Sequence, residues 1–571
     1  MGTACVVLTN AVALTQPHVL KLAVDDLYRG VTSGKLARYA IILLLIALVG
    51  GAFKFLMRHF IIGISRHLEY DLRNDLFAHL QKLPLEYYQR TRTGEIMSRA
   101  TNDLSAVRMM LGPGIMYMVN TVTVAVVSVA CMLAISPRLT FYTLLPLPLV
   151  SLTVWFFGDR IHRRFEQIQA QFADISARVQ ENLSGVRVIR AFTREAREVE
   201  VFRGMNHEYL LRNRQLIHVW GVFYPLLGFL SGVAALLALY LGGREVVLGH
   251  ISLGSFVAFT VYLAMLNWPV VALGWVINLF QRGMASFRRL AEILDVVPSI
   301  QSPARGYRPG DRNGADGDGR GRGAQIEIRR LTFRYPGAEA PALRDLSLVV
   351  PAGHTVALVG RTGAGKSTVL ALLPRLFDPP PGTVLVDGVD VRDWDLHALR
   401  ARLAIVPQDT FLFSATVAEN IGYGVAEGPR DQIERAARIA RLDGDVQRFP
   451  AGYDTLVGER GITLSGGQRQ RTAIARALMR DAPVMLLDDC LSSVDADTEE
   501  AILAGLRGEM RRRTTLMVSH RVSAVRDADL IVVLEDGAAV ERGTHDALLA
   551  LGGRYAELHR LQQIEAELEA S

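Results

Sequence analysis

The residues of this sequence that are best placed to do chemistry form a glycine-rich stretch near position 360. The chain reads Gly-Arg-Thr-Gly-Ala-Gly-Lys-Ser from Gly360 to Ser367, after an apolar strand pattern and before a helical one. In such a loop the backbone N–H groups surround phosphate oxygens, the lysine faces the β- and γ-phosphates, and the serine hydroxyl binds Mg²⁺. The predicted phosphate-binding residues are Gly360, Thr362, Gly363, Ala364, Gly365, Lys366, Ser367 and Thr368.

A second element of the same site lies further along the chain. The apolar run Val484–Leu487 ends in Asp488, and a carboxylate at the end of a strand is the expected ligand of Mg²⁺, directly or through water. Ser367 and Asp488 are therefore predicted metal ligands. Together the two elements define a P-loop nucleotide site, but many enzymes share them, so they do not specify how the nucleotide is used.

The elements that must position this site occupy only the second half of the chain. The 571 residues are 50% hydrophobic, with a mean hydropathy of +0.21, and the apolar positions are concentrated in the first half, in runs long enough to cross a bilayer. Long, Arg-rich segments between these runs are expected in the cytoplasm. The six predicted membrane helices lie near residues 1–24, 40–62, 111–135, 139–157, 219–242 and 254–280.

These patterns predict a multi-domain protein. An all-α transmembrane six-helix bundle with long cytoplasmic helix extensions occupies residues 1–300, and an α/β P-loop NTPase domain occupies residues 326–571. Residues 301–325 between them contain almost no apolar side chain, so they cannot bury enough surface to offset the entropy of ordering. We expect this stretch to be a flexible linker.

Composition argues against several other classes of protein. The 63 Lys and Arg against 57 Asp and Glu give a net charge of +6, but the cations spread through the predicted cytoplasmic segments rather than forming a patch, so no nucleic acid is expected as a partner. The three cysteines show no pairing or metal-ligand pattern, and we expect no disulfide. The N-terminus lacks the features of a signal peptide. Its first apolar run begins so abruptly that we expect upstream residues to be missing.

The order of motifs around the nucleotide site resembles that of the nucleotide-binding domain of ATP-binding-cassette (ABC) transporters, over about residues 326 to 555. Leu464-Ser465-Gly466-Gly467-Gln468 precedes the Asp488 strand, Gln408 lies upstream in VPQD, and His520 lies downstream in VSHR. In the first half, TGEIMSRATNDLSAVR and ENLSGVRVIRAFTREAREVEVF look like the two intracellular loops of ABC exporters with six helices per subunit. The resemblance places these loops near residues 81–105 and 181–195.

The resemblance implies ATP as the nucleotide and a role for each motif residue. Tyr335 would stack on adenine, Gln408 would contact Mg²⁺ and the attacking water, and His520 would bind the γ-phosphate; the alternative for Tyr335 is a packing role in the core or an edge strand. The family holds each ATP between the P-loop of one subunit and the LSGGQ signature of the other, so this chain must dimerise. The signature residues implied to face the partner's ATP are Ser465, Gly466, Gly467 and Gln468, and Asp495, in SSVD, would cross the dimer interface as the family's D-loop and is included among the nucleotide-binding residues.

The chain departs from the family pattern at the residue after Asp488, where Asp489 stands in place of the usual Glu. That residue polarises the attacking water, so the implied catalytic set is Asp489, His520 and Gln408. Asp is one methylene shorter than Glu, a general base must lie within about 3 Å of its proton, and a misplacement of about 1 Å can lower a rate roughly 10²-fold. We predict that ATP on this chain's own P-loop is hydrolysed poorly.

An impaired catalytic position beside an intact signature resembles the degenerate-site subunits of heterodimeric ABC multidrug exporters. A second, different half-transporter is therefore expected to carry the catalytic Glu, so that hydrolysis occurs mainly at the site that this partner completes. The alternative is a homodimer that hydrolyses ATP slowly.

The predicted function is ATP-driven export by alternating access from an integral membrane protein, with the nucleotide-binding domain in the cytoplasm and the helices in the lipids of a bacterial cytoplasmic membrane. A membrane half poor in fixed charge suits lipophilic or amphipathic compounds such as drugs or lipids. Import and ATP-gated channel activity on the same scaffold remain alternatives. The aromatic residues of the last two helices could line the path or could be interfacial anchors and packing residues; they are Phe223, Tyr224, Tyr262, Trp268 and Trp275.

Overall fold

A computed structural model of the chain describes residues 1–30, 32–309, 323–458, 462 and 464–570. The chain divides into two compact units, one of Met1–Gln81 with Thr93–Val296 and one of Lys82–Arg92 with Val297–Ser571. All strands in the described residues belong to the second unit. This division places the long membrane-crossing helices in the first unit and the strands in the second, with the short segment Lys82–Arg92 assigned to the second unit.

Twelve α-helices and two π-helical segments, Arg99–Asp103 and Met110–Gly114, lie in the first half of the chain within the described residues. The α-helices are α1 Gly2–Arg29, α2 Ser33–Leu80, α3 Leu85–Arg90, α4 Thr93–Ser98, α5 Leu104–Met109, α6 Ile115–Ile135, α7 Pro137–Leu144, α8 Leu147–Ser184, α9 Val186–Ala191, α10 Glu195–Val247, α11 Leu253–Met265 and α12 Asn267–Leu294. The predicted intracellular loops contain the short helices α3 and α9. Helix α3 lies in the segment that belongs to the second unit.

Six helical stretches in the described part of the chain are long and apolar enough to cross a membrane, which confirms the predicted number. Helix α2 has 48 residues and α10 has 53, which correspond to about 72 Å and 80 Å at ~1.5 Å per residue. Both exceed twice the roughly 30 Å hydrocarbon thickness of a bilayer, so these helices must extend well beyond it. The six stretches are Gly2–Arg29, Ser33–Leu80, Thr93–Ile135, Pro137–Ser184, Glu195–Val247 and Leu253–Leu294.

Charged contacts join the helices of the first unit near its first predicted intracellular loop. Asp103, which is 8% exposed, accepts a hydrogen bond of 2.9 Å from Arg289 on α12 and one of 2.8 Å from Ser286. Arg108 on α5 lies 3.2 Å from a carboxylate oxygen of Glu69 on α2. These pairs attach the end of the predicted loop and the helix that follows it to α12 and α2.

The second unit is an α/β domain. Its strands are β1 Ile326–Phe333, β2 Leu343–Val350, β3 Thr355–Val359, β4 Val384–Val386, β5 Val389–Asp390, β6 Leu403–Val406, β7 Ala415–Thr416, β8 Leu456–Val457, β9 Val484–Asp488, β10 Thr514–Val518, β11 Leu530–Glu535 and β12 Ala538–Gly543. Its helices are α13 Lys366–Leu372, α14 Leu396–Ala401, α15 Val417–Gly422, α16 Arg430–Ile439, α17 Asp443–Val446, α18 Gly466–Met479, α19 Ala496–Met510, α20 Val522–Val525, α21 His545–Leu551 and α22 Arg554–Ala570.

A six-stranded sheet in the order β12-β11-β3-β10-β9-β6 forms the centre of this unit, and only its edge strand β12 is antiparallel to its neighbour. Every residue of β10 is buried, as expected for a parallel strand covered on both faces. One apolar core lies between this sheet and helices α15, α16, α18 and α19, and another lies toward the antiparallel sheet β2-β1-β4-β5. The predicted α/β class is confirmed.

The predicted linker differs from the expectation where the structure describes it. The Tyr307 ring meets Trp394 edge-on with centroids 4.8 Å apart, and Arg308 lies 3.0 Å from a carboxylate oxygen of Asp395. The aromatic contact and the hydrogen bonds offset the entropy of ordering, so residues 301–309 pack on the second unit instead of forming a free linker. Residues 310–322 lie outside the described residues.

Candidate nucleotide site

The predicted site residues follow three neighbouring strands of the parallel sheet. Gly360 follows β3, His520 follows β10 by two residues, and Asp488 ends β9. Val518 on β10 pairs with Leu358 on one side and with Asp488 on the other. Because the carboxyl ends of parallel strands meet at one edge of a sheet, where such folds bind ligands, these three residues come together there.

Two positions of the loop accept only glycine. Gly360 has φ +149° and Gly365 has φ +92°, and both values lie in the region that favours glycine. A Cβ on Gly360 would lie 2.2 Å from the Leu534 carbonyl oxygen, and one on Gly365 would lie 2.5 Å from that of Ala342. The loop can therefore pack this closely on its neighbours only with glycine at both positions.

Lys366 is the buried cation of the loop, with 5% of its surface exposed. Its Nζ donates to the carbonyl oxygens of Gly360 and Arg361, at 2.8 and 2.9 Å. Burial lowers the pKa of the Lys366 ammonium, and the carboxylates of Asp489 and Asp488 partly oppose that shift. A buried ammonium held by neutral carbonyl oxygens fits an anionic group such as a phosphate, because the anion would offset its desolvation.

Two of the three predicted Mg²⁺ ligands, Ser367 and Asp488, are in contact. Ser367 Oγ donates to Asp488 Oδ1 at 2.9 Å, and burial raises the pKa of Asp488, against the effects of the Ser367 hydrogen bond and the Lys366 charge. Gln408 is exposed and lies two residues beyond β6, the strand that pairs with β9. Hydroxyl, carboxylate and amide oxygens are the ligands that Mg²⁺ prefers, so the residues present fit the ion.

Asp489 is turned toward the segment that carries His520. It has φ +43° and is 7% exposed, and its N–H donates to the Val518 carbonyl oxygen at 2.9 Å. The Asp489 carboxylate accepts a long hydrogen bond, 3.4 Å, from the backbone N–H of His520. The carboxylate that replaces the family's Glu therefore contacts the protein backbone.

Tyr335 contacts the helix that follows the loop. Its hydroxyl donates to Thr368 Oγ1 at 3.1 Å, and its ring meets Phe377 and Phe333 edge-on at 5.0 and 5.1 Å. The side chain is half-buried against the apolar core. This environment agrees with a packing role and also places the tyrosine next to α13, so both interpretations stay open.

The signature residues form a rigid helix start. Ser465 and Gln468 make a reciprocal capping box at the beginning of α18, with bonds of 3.2 Å from the Gln468 N–H and 3.0 Å from the Ser465 N–H. Gln468 Nε2 also donates to Asp445 at 3.1 Å. A Cβ on Gly466 or Gly467 would lie 3.3 or 3.1 Å from Ser493, so both glycines pack closely on the segment that leads to Asp495.

Asp495 has a structural role within the chain. Its carboxylate caps α19 by accepting the Thr498 N–H at 3.0 Å, and that hydrogen bond lowers the pKa of Asp495. The side chain is exposed. It can therefore cap its helix and still be available to a second subunit.

Sequence reasoning missed two residues that connect these segments. Gln470 is 4% exposed and bonds to Ser492 and Ser493 at 2.9 and 3.0 Å. Arg521 pairs with the buried Glu499 and donates to the Val494 carbonyl oxygen at 3.0 Å. No local sequence pattern predicts these contacts. The one available signal is position, because Gln470 lies just after the signature and Arg521 directly after His520.

The structure thus brings the predicted residues together in two separate groups. Hydrogen bonds connect Tyr335 to Thr368, Ser367 to Asp488 and Asp489 to the His520 backbone. The side-chain hydrogen bonds of Ser465 and Gln468 within the described residues instead lead to one another and to Asp445. A P-loop ATPase half-site and a separate signature half-site, on a chain with six membrane-crossing helices, define an ATP-driven membrane transporter.

Comparisons with known proteins agree with this class. A family model described as the ABC transporter transmembrane region matches residues 1–270, and one described as ABC transporter matches residues 343–492. The chain is 36% identical over 560 residues to YheI of Bacillus subtilis, which is described as a probable multidrug resistance ABC transporter ATP-binding/permease protein. The match covers 97% of this chain and 93% of YheI. The chain belongs to the ABC transporter family, as a half-size exporter that fuses one transmembrane domain to one nucleotide-binding domain.

Other relatives extend the comparison. The chain is 34% identical over 558 residues to the ATP-dependent lipid A-core flippase of Syntrophus aciditrophicus, covering 98% of this chain and 91% of that one. A solved structure of a bacterial Atm1-family ABC exporter with ATP bound matches with a TM-score of 0.78 and 28% identity, over 98% of this chain and 97% of that one. The chain is thus an integral membrane protein of a family that binds ATP, couples its hydrolysis to export and works as dimers.

Proposed function

We propose that this chain is one half of a heterodimeric exporter of lipophilic or amphipathic compounds, and that its own ATP site is catalytically weak. The observation that carries the proposal is the placement of Asp489. The Asp489 side chain is one methylene shorter than Glu. Its carboxylate is also buried and already accepts a hydrogen bond from the His520 backbone N–H. Both features move a general base away from a water at the γ-phosphate, where its efficiency falls steeply with distance.

The remaining residues of the P-loop side bind and orient ATP. The loop N–H groups surround the phosphates, and Lys366 exchanges its carbonyl partners for phosphate oxygens. Ser367, Asp488 and Gln408 would hold Mg²⁺, which neutralises the charge on the β- and γ-phosphates when bound. His520 would bind the γ-phosphate. Tight ATP binding with slow hydrolysis follows, because only the base is impaired.

The signature side would complete the partner's site. Ser465, Gly466, Gly467 and Gln468 are pre-ordered by the capping box, so little ordering is needed when a nucleotide on the partner's P-loop reaches them. Binding of two ATP molecules would favour the closed dimer, and hydrolysis at the competent site would release it. In this scheme the long helices and the segments near α3 and α9 transmit closure to the membrane.

The proposed substrate class rests on the relatives and on the membrane half. YheI is described as a multidrug resistance transporter and another relative as a lipid A-core flippase, so both drugs and lipids belong to the proposed range. Tyr262 and Phe223 serve packing, because both are buried and the Tyr262 hydroxyl donates to the Leu14 carbonyl oxygen. The exposed rings that can face a substrate or lipid are Tyr224, Trp268 and Trp275.

Mixed dimers test the weak-site assignment without a known partner. The wild-type chain and an Asp489→Glu chain carry different tags and are purified together in lipid nanodiscs. We expect the mixed dimer to hydrolyse ATP at about half the rate of the Asp489→Glu homodimer. This rate should be far higher than that of the wild-type homodimer. Asp489→Asn is the control, since it keeps the side-chain size and removes the charge.

Two results would contradict the proposal. A wild-type homodimer with rapid turnover that falls in Asp489→Asn would show that Asp489 works as the base, and the protein would be a homodimeric exporter. Rapid turnover that is unchanged by Asp489→Asn would remove Asp489 from the mechanism.

Transport of a dye and of a fluorescent lipid into inverted vesicles tests the substrate class, and uptake of neither compound would contradict the proposed class.

A further inference from the structure

We propose that Gln562, on the last helix α22, is a positioning residue that fixes the backbone around His520 and so sets the place of its imidazole. The inference rests on the proposed function, because it takes His520 as the group that binds the γ-phosphate. None of the motifs of the nucleotide site includes Gln562, which lies 42 residues from His520 in the chain.

Gln562 makes two hydrogen bonds to the segment that carries His520. Its Oε1 accepts the backbone N–H of Val522 at 2.8 Å, and its Nε2 donates to the carbonyl oxygen of His520. The partners determine the orientation of the amide, since an N–H must meet its oxygen and a carbonyl must meet its nitrogen. A single side chain therefore satisfies one donor and one acceptor on either side of Arg521.

Together with the Asp489 contact, these bonds hold the backbone on both sides of His520. On one side its N–H donates to Asp489, and on the other its carbonyl oxygen accepts from Gln562. The neighbouring Arg521 pairs with Glu499, and Ser523 Oγ donates to the same carboxylate at 2.9 Å. The segment around His520 thus has partners from three elements: its backbone contacts Asp489 at the strand end and Gln562 on α22, and its side chains contact Glu499 on α19.

The helix that carries Gln562 is itself firmly attached. Tyr555, in its first turn, is fully buried in the core, and its N–H donates to Glu541 at 3.1 Å. Leu558 packs on the same core. Gln562 follows Tyr555 by seven residues, about two helical turns, so it lies on the same face. A small cavity of about 50 Å³ is lined by Tyr555 and Leu558 of this helix and by Gly360 and Arg361 at the start of the phosphate loop.

The consequence for the reaction follows from geometry. The imidazole acts at hydrogen-bond distance, and displacing a catalytic contact by about 1 Å can lower a rate roughly 10²-fold. Without Gln562 the Val522 N–H and the His520 carbonyl oxygen would turn to water, and the segment could move. Turnover should fall while the affinity for ATP, which depends on Lys366 and the phosphate loop, should change little.

The test uses the full-length chain carrying Asp489→Glu, in which we expect faster turnover than in the wild type. The variants are Gln562→Ala, which removes both bonds, and Gln562→Glu, which keeps the acceptor for Val522 but sets a carboxylate against the His520 carbonyl oxygen. The matched control is Gln563→Ala, the same change at the next position of α22, where the side chain is exposed. Each Gln562 variant is also combined with His520→Ala.

We expect Gln562→Ala and Gln562→Glu to lower kcat about 5- to 20-fold with KM for ATP within about twofold. Gln563→Ala should change neither quantity. In the His520→Ala background the Gln562 variants should cause no further loss, because interacting residues are not additive. A merely structural role would instead lower the activity equally in both backgrounds.

A second measurement keeps the inference testable if the chain turns over slowly in every background. The ratio of the dissociation constants for ADP and ATP reports the γ-phosphate contact. It should fall in Gln562→Ala in the same direction as we expect for His520→Ala, but by no more than the change of about twofold expected for ATP. Hydrogen exchange of the segment around Val522 should also be faster in Gln562→Ala than in Gln563→Ala. Unchanged kcat, nucleotide ratio and exchange in the Gln562 variants would overturn the inference. If His520→Ala itself had no effect on the ratio or on turnover, the proposed role of His520 would fail as well.

Discussion

The two halves of the nucleotide machinery on this chain are built in different ways. The phosphate-binding half collects residues from the ends of β3, β10 and β9, and its geometry depends on a parallel sheet. The signature half is continuous in sequence, and its first four residues order themselves through the capping box of Ser465 and Gln468. The second half is therefore stabilised by local contacts, whereas the first depends on strand ends that are far apart in the chain.

That difference shows how one half can lose catalysis while the other stays intact. Replacing Glu by Asp after β9 leaves the sheet, the loop and the Mg²⁺ ligands in place and alters only the reach of one carboxylate. Because the two halves of a chain serve different ATP molecules in this family, the proposed effect of this change is to weaken one composite site and spare the other. The comparison yields four predictions, in order of decreasing effect.

Asp489→Glu should produce the largest change. We expect turnover at the chain's own P-loop to rise about 10²-fold, since the added methylene restores the reach of the base. Steady-state ATP hydrolysis by the purified chain in nanodiscs measures the effect. Asp489→Gln has the length of Glu without its charge and should stay at the wild-type rate; a rise in that variant would show that length alone, without a base, accounts for the gain.

Lys366→Ala should weaken MgATP binding about 10- to 100-fold. This range corresponds to the roughly 1.5 to 3 kcal/mol of a charged hydrogen-bonding group. Titration of a fluorescent ATP analogue gives the dissociation constant. Arg361→Ala is the control, because it removes an exposed cation from the same loop and should leave the constant within about twofold. Equal losses of MgATP affinity in Lys366→Ala and Arg361→Ala would show that the positive charge of the loop matters, and not the position of Lys366.

Ser465→Ala separates the two halves most sharply in a mixed dimer with an Asp489→Glu chain. Placed in the wild-type chain, whose signature faces the competent site, it should lower turnover about fivefold, which corresponds to the ~1 kcal/mol of a lost helix cap. Placed in the Asp489→Glu chain, it faces the weak site and should have little effect. Equal effects from the two placements would contradict the composite sites.

The smallest expected effect is a pH dependence of Mg²⁺-assisted binding. Burial raises the pKa of Asp488, and Mg²⁺ needs the ionised carboxylate. Affinity should therefore be complete above the raised pKa and fall as the pH decreases through it, starting at a higher pH than for an ordinary aspartate. For folding the sign is opposite, since a raised pKa makes the charged form of Asp488 a destabilising group as the pH increases.

Nucleotide titrations at fixed free Mg²⁺ over a series of pH values measure this dependence. Asp488→Asn should bind weakly at every pH and lose the acidic decline. A decline of the same size in Asp488→Asn would assign the pH effect to another group, such as the nucleotide phosphates.

Sequence patterns predicted the features whose causes are local. The phosphate loop is a short motif with strict backbone demands at Gly360 and Gly365, and the six membrane helices are long apolar runs. Other features had no local signal. The docking of Tyr307 on Trp394 joins residues 87 positions apart in a stretch whose composition is typical of a linker, and the contacts of Gln470 and Arg521 depend on how separate segments pack.

By itself the amino-acid order determined that this chain crosses a membrane, binds a nucleotide on a glycine-rich loop and lacks the usual Glu after Asp488, because each of these follows from residue types over a few consecutive positions. Only the tertiary structure decided where the Asp489 carboxylate points and that a glutamine of the last helix reaches the His520 backbone. Those contacts arise where strands and helices distant in the chain meet, and their distances depend on the packing of the whole domain.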